Sequence, residues 1–182
     1  MLSQFTREAG HSSLADLNYS FPKDVYPVGR LDADSEGLLL LTNNSSLNKR
    51  ILDPQYKHNR SYLALLDGEI TEYALLKLEK GIEITVHHKA YQTLPAKAER
   101  VTLNLPERIP SLTLRTGQKT SLIKLTLHEG KNRQVRKMTA AVGFPTLRLI
   151  RVSIEKIVLG ELLPGNVLML SENAVFKKLD LN

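Results

Sequence analysis

The sequence predicts an α+β fold with a largely antiparallel sheet. Three observations carry this expectation. Strand-like and helix-like runs are interspersed without a regular strand–helix–strand repeat. Alternating or apolar runs at residues 60–67, 121–128 and 147–159 are of strand type. Two stretches, Thr71–Lys80 and Asn132–Val142, instead carry helical spacing and end on a glycine.

Taken in order, residues 18–24 with Pro22 read as a loop leading to a strand entry at Tyr26-Pro27-Val28. Gly37 followed by Leu38-Leu39-Leu40-Leu41 predicts a strand buried on both faces. Asn44–Leu52 predicts a short helix: Asn or Ser caps it, Leu47 and Ile51 lie four apart, and Asp53-Pro54 ends it. Arg60–Asp67 is a strand. The next helix has Thr71 as its cap, Ala74, Leu75 and Leu78 as its apolar face, and Gly81 as its stop. Residues 82–126 are expected to be rich in strands, punctuated by Pro95, Pro106, Pro110 and Gly117. Ser121–His128 runs as a strand into Glu129-Gly130, a tight turn into the 132–142 helix. Leu147–Leu159 is one long strand or two broken ones. Val167–Leu170 closes the set as a last strand, before a short helix capped by Ser171. No internal repeat or low-complexity segment interrupts this order.

Composition limits the function classes. The 182 residues suffice for a substantial core, and 42% hydrophobic with 24% charged residues is ordinary for a globular chain. No apolar run is long enough to span a membrane, and no signal peptide is legible. Zero cysteines exclude disulfides and thiolate metal sites, so a cytoplasmic setting is expected. The net charge of +6 is modest. Its distribution is more informative: Lys131, Arg133, Arg136, Lys137, Arg148 and Arg151 fall within 131–151 with no acidic residue among them. Such a patch attracts phosphates.

The chemistry is expected in the loop Gly29-Arg30-Leu31-Asp32-Ala33-Asp34-Ser35-Glu36-Gly37, held rigid by the leucine run after it. Asp32, Asp34 and Glu36 match the opening of a calcium-binding loop. That motif needs a bidentate carboxylate at its twelfth position, which here is Asn43, and helices on both sides. A glycosidase pair of Asp32 and Glu36 would leave the basic patch unexplained, in a chain with no Trp and four Phe. For Asp34 and Glu36 the plain expectation is solvated or capping acids of a surface turn. Asp32 differs because a cationic helix offers it a partner. At 100° per residue, Arg136, Lys137 and Ala140 fall within about 60° of Arg133, opposite Val135, Met138 and Val142. His87-His88 lacks a third spaced ligand, and His11, His58 and His128 are scattered, so no metal site is expected.

Together these segments resemble the pseudouridine synthases of the RsuA-like branch. The resemblance lies in Gly29-Arg30-Leu31-Asp32 leading into Gly37-Leu38-Leu39-Leu40-Leu41-Thr42, and in Arg60-Ser61-Tyr62. It extends through Glu129-Gly130-Lys131-Asn132-Arg133-Gln134-Val135-Arg136-Lys137-Met138, Ala140-Ala141-Val142-Gly143 and Leu147-Arg148-Leu149-Ile150-Arg151. Within the branch the chain is most similar to the RluE type. That similarity rests on Leu2-Ser3-Gln4-Phe5-Thr6, Tyr26-Pro27-Val28 and Lys131-Asn132-Arg133-Gln134.

The resemblance implies a mixed, largely antiparallel bent sheet with flanking helices and a cleft across its middle. It implies isomerisation of a uridine to pseudouridine in large-subunit (23S) ribosomal RNA, without metal or cofactor. The base would be flipped out of structured RNA. By motif position Asp32 is the nucleophile, either attacking C1′ or promoting elimination at the sugar. Tyr62 would stack on the base with a role in proton transfer, and Arg136 would pair with Asp32. Arg30, Lys131, Arg133, Lys137, Arg148 and Arg151 would hold RNA phosphates. Residues 1–182 are expected to form a single catalytic domain and a monomer, without the N-terminal S4-type RNA-binding domain of many relatives. Relatives also place a strand and an Asn-Lys-Pro turn ahead of the Leu-Ser-Gln segment, so this chain is expected to start inside that region. The rival expectation is a non-catalytic RNA-binding or ribosome-assembly module using the 131–151 patch, which needs only the cationic surface.

Overall fold

A computed structural model describes residues 1–180. Its axis is strand β4 (Arg60–Asp67), whose residues pair with neighbours on both sides. Along one side all eight residues pair antiparallel with β8 (Thr120–Leu127), and β7 (Lys97–Arg100) extends the sheet beyond it. Along the other side lies β9 (Thr146–Ile154), also antiparallel. The outer edge of β9 takes β10 (Ile157–Val158) antiparallel and β2 (Glu36–Gly37) parallel. One parallel pair in an otherwise antiparallel sheet is the mixed α+β architecture expected from the sequence. Two smaller pairings stand apart: β1 (Tyr26–Pro27) with β3 (Leu41–Thr42), and the hairpin of β5 (Glu83–Val86) and β6 (Lys89–Gln92).

Side chains alternate across a strand, so Arg60, Tyr62, Ala64 and Leu66 share one face of β4. Two apolar cores occupy the two ends of that face. At one end Ala64, Leu66, Ile123, Leu125 and Leu149 pack under α2 (Glu72–Lys80) and α3 (Gln134–Ala141), through Ala74, Leu75, Leu78, Val135 and Met138. At the other, Ile154 and Ile157 pack with Val28, Leu38 and the Leu47 and Ile51 of α1 (Ser45–Leu52). Val175 and Phe176 of α4 (Glu172–Lys178) close this second core. Tyr62 lies along β4 between the two.

Helix ends follow local chemistry. Asn44 Oδ1 accepts from the Leu47 N–H at 3.0 Å, and Thr71 Oγ1 accepts from the Ala74 N–H at 3.2 Å. Other expectations are corrected. Leu38–Leu41 is not one strand buried on both faces: only Leu38 is buried. The Leu38 N–H donates to the Arg151 carbonyl, whereas the Leu40 carbonyl accepts from the Val28 N–H, both at 2.8 Å. The run thus changes partner midway, which splits it into β2 and β3. Strands in the 82–126 region stop at Arg100 and resume at Thr120. Val167–Leu170 forms no strand: among the described residues nothing pairs with it, and Leu168 and Met169 are exposed. Helix α3 begins at Gln134 because Arg133, with φ 51°, is left-handed and cannot continue a right-handed helix.

Candidate active site

The carboxylate loop is fixed at three points. At its start, Ser3 Oγ accepts from the Leu31 N–H at 2.9 Å and donates to the Leu31 carbonyl at 3.2 Å, which pins the residue before Asp32. In its middle, the Ser35 N–H donates to the Asp32 carbonyl at 2.9 Å, closing a turn. At its exit, Glu36 and Gly37 join β9 opposite Ile150 and Arg151. Gly37 is required there. Its φ is +102°, and a Cβ would lie 2.3 Å from the Arg151 carbonyl oxygen.

Two arginines at the start of α3 grip the turn. Arg133 donates from both terminal nitrogens to the two Asp34 carboxylate oxygens, each at 2.9 Å, and its Nη1 lies 3.7 Å from Asp32 Oδ2. Its left-handed backbone is what aims the side chain outward from the cap position. Arg136 donates to the Asp34 carbonyl at 2.9 Å and to the Thr146 carbonyl at 3.1 Å, and approaches Asp34 Oδ2 at 3.4 Å. The expected Arg136–Asp32 ion pair is therefore replaced. Arg136 holds Asp34, and Arg133 spans Asp34 and Asp32. Nor is Asp34 a merely solvated acid. The Arg133 hydrogen bond holds its carboxyl below the usual carboxylate range, with the Arg136 charge acting in the same direction. Arg133 is raised in turn, mainly by Asp34, while burial lowers Arg136 against the opposing pull of Asp34.

Asp32 is held more lightly. Among the described residues its carboxylate accepts no side-chain hydrogen bond, and the side chain is 31% exposed. A carboxylate with one cation nearby and free oxygens is available to a reacting group; one gripped like Asp34 is not.

Glu36, expected to be a solvated or capping acid, is instead an anchor. Arg148 donates to it through two nitrogens at 3.0 and 2.7 Å, and Arg108 Nε lies 3.2 Å from it. Arg148 also donates to the Pro106 carbonyl at 2.7 Å, tying the 101–119 segment to the carboxylate loop. Arg148 and Arg151 are buried, which corrects their expected place among exposed phosphate holders. The physical reason is what packs on each face of the central strand β9: Glu36, Arg108 and the Pro106 carbonyl close over Arg148, and the Leu38 segment closes over Arg151. Arg30 and Lys131 are exposed, Arg133 is exposed but committed to Asp34, and Lys137 is half-buried with its Nζ 3.4 Å from Asn132 Oδ1. Tyr62 is half-buried beside the first core. Pairing places it opposite Arg151, and Arg151 opposite Gly37. Two strand spacings, roughly 10 Å, thus separate the Tyr62 backbone from the loop exit.

One cluster went unanticipated. The buried Glu129 carboxylate accepts from Tyr91 Oη at 2.5 Å, the Leu94 N–H at 2.8 Å and Gln134 Nε2 at 2.6 Å. It fixes the entry to α3 and hence the base from which Arg133 and Arg136 reach. The Tyr91 phenol, hydrogen-bonded to that carboxylate, is pushed up to about 12. Lys131 Nζ stands 4.7 Å from the Tyr91 ring centroid. Glu129-Gly130 before the helix was the available signal, but a turn reading does not reveal a buried carboxylate. A separate groove of about 530 Å³ lies among Ser61, Lys97, Lys124, Thr126 and Glu155, and none of the carboxylate-loop residues lines it. Within it Lys124 pairs with Glu99 at 3.7 Å. Among the described residues no three His, Asp or Glu side chains are grouped to hold a metal ion.

Comparison with known proteins yields consistent relatives. The RNA pseudouridylate synthase family matches residues 2–141. A ribosomal large subunit pseudouridine synthase E of Vibrio parahaemolyticus is 47% identical over 165 residues, covering 90% of this chain and 67% of that protein. Its namesake from Xanthomonas campestris is 37% identical, covering 91% and 87%. A crystal structure of a pseudouridylate synthase superposes with a TM-score of 0.70 at 28% identity, covering 88% of this chain and 63% of the other. The chain spans about two thirds of the length of the Vibrio relative and of that solved structure.

Proposed function

Because this chain belongs to the RNA pseudouridylate synthase family, we propose that it isomerises a uridine of large-subunit (23S) ribosomal RNA to pseudouridine, with Asp32 as nucleophile. The observation that carries this reading is the contrast between the two aspartates. Arg133 and Arg136 spend their donors on Asp34, which stiffens the turn and leaves the Asp32 carboxylate open.

The chemistry needs little else. A flipped uridine presents C1′ to Asp32, and the N1–C1′ bond breaks. The uracil turns and C5 bonds to C1′; C5 loses its proton and N1 gains one. Nothing is oxidised or reduced, and no metal or cofactor is called for. To Tyr62, between the two cores, we assign stacking on the extruded base. Arg30 and Lys131, both exposed, are the cations assigned to phosphates, together with the half-buried Lys137 and the outer edge of Arg133 that Asp34 leaves open. Arg136 acts through Asp34. We take residues 1–182 as one catalytic domain acting as a cytoplasmic monomer.

The test is tritium release from ribosomal RNA labelled at uridine C5. Wild type is expected to release it stoichiometrically with pseudouridine. A protein that binds the RNA and releases none would instead be a non-catalytic RNA-binding or assembly module.

A further inference from the structure

We infer that Arg151 is a positioning residue, whose buried guanidinium holds the exit of the Asp32 loop and the Tyr62 side chain in one frame. The consequence for rate rests on the function proposed above; the geometry does not.

A defect in the sheet creates the arrangement. Between β4 and β9 the register shifts, so that Ser61 opposes Ser153 but Tyr62 opposes Arg151, leaving Val152 over. Without this bulge Arg151 would fall on the opposite face of the sheet from Tyr62; bulges re-aim side chains in this way. Arg151 Nε donates to the Leu38 carbonyl at 2.8 Å, and the Leu38 N–H donates back to the Arg151 carbonyl at 2.8 Å. Residue 151 is thereby locked to the loop exit from both its side chain and its backbone.

Arg151 as a whole is only 4% exposed, so an RNA phosphate does not reach its guanidinium. Among the described residues its side-chain hydrogen bond goes to a carbonyl, that of Leu38, rather than to a carboxylate, and its Nη2 is buried without an acceptor. A buried charge of this kind is disfavoured unless its donors serve a purpose. Burial weakens the hold of Arg151 on its proton, and the Tyr62 side chain opposes that effect. Arg60 also lies beside Tyr62, but its two terminal nitrogens are committed to the His58 and Ile51 carbonyls at 3.2 and 2.8 Å. Arg151 Nη2 is therefore a buried donor without a partner on the face that Tyr62 shares, and we assign it to the Tyr62 hydroxyl.

Arg151→Lys tests this. Lysine keeps the charge, but its three donors sit on one nitrogen and do not span from the Leu38 carbonyl to Tyr62 as a planar guanidinium can. Single-turnover conversion should fall about tenfold, the effect of one charge-assisted hydrogen bond. RNA affinity and its salt dependence should stay unchanged. Arg151→Gln, which keeps a planar donor for Leu38, is the second variant, with the same expectation. A readout independent of activity is NMR of protein labelled at the tyrosine ζ-carbon. The chain has six tyrosines, and Tyr62→Phe identifies the signal concerned. That signal should move in both Arg151 variants. If it moves while wild type makes no pseudouridine, the positioning geometry stands and the proposed function fails. An unmoved Tyr62 signal, an unchanged rate in an active enzyme, or lost RNA affinity with a salt slope lowered by about one would each overturn the inference.

Discussion

Gly37→Ala probes the junction on which the loop depends. The added Cβ would lie 2.3 Å from the Arg151 carbonyl oxygen, 2.8 Å from its nitrogen and 3.0 Å from its carbonyl carbon, all backbone atoms of a central strand. None can swing aside as a side chain could. The φ of +102° adds strain for any residue with a Cβ, about 1–2 kcal/mol. Relieving the contact means parting residues 37–38 from β9. That would break the Leu38 N–H bond to the Arg151 carbonyl and the Arg151 Nε bond to the Leu38 carbonyl, each about 1 kcal/mol net. The expected loss is about 3–4 kcal/mol, which for a chain of this size lowers the melting temperature by about 10 °C. Gly117→Ala is the control. Its φ is +74°, yet nothing lies within 4 Å of the added Cβ, so it should cost only the strain, about 1 kcal/mol. Thermal unfolding of both variants decides. Equal, small shifts would refute the claim that β2 is packed against β9 at a position only glycine can fill.

Three further outcomes follow from the site. Asp32→Asn should abolish tritium release while RNA affinity, measured by filter binding, stays within about twofold, since Asp32 supplies no phosphate contact. Glu36→Gln leaves the buried Arg148 without its charge partner. Chemical denaturation should show a loss of about 2 kcal/mol, less than for a fully buried pair because Glu36 is partly open to solvent. Tyr91 governs alkaline stability. Its folded value is raised from 10.0 to about 12, so its contribution is whole below pH 10 and is lost as pH rises toward 12. The melting temperature of Tyr91→Phe should accordingly lie closest to that of wild type at the top of this range, with a gap that widens as pH falls to 10.

The elements legible in the sequence were those set by short-range chemistry. Asn44, Thr71 and Gly81 mark the ends of α1 and α2 because capping is decided within four residues. The strands β4 and β8 could be read because each is a short apolar or partly alternating run bounded by a glycine turn, Gly68 or Glu129-Gly130. What could not be read depends on partners distant in sequence. The leucine run splits because Leu38 finds Arg151 and Leu40 finds Val28. Arg148 and Arg151 look like surface cations in a list of charges; what buries them are segments distant in sequence, Glu36 and Pro106 over Arg148 and Leu38 over Arg151. In the same way, motif spacing brings an arginine helix to the carboxylate loop but does not say which acid it grips. The turn closed by Ser35 presents Asp34 to both arginines and leaves Asp32 outside their full hold.

The most direct test of that division of labour is a map of pseudouridines in 23S ribosomal RNA from cells lacking the protein, complemented with wild type, Asp32→Asn or Asp34→Asn. Wild type should restore one specific pseudouridine, Asp32→Asn none, and Asp34→Asn a reduced fraction at the same position. Restoration by Asp32→Asn at the wild-type level would contradict the assignment of that carboxylate as nucleophile.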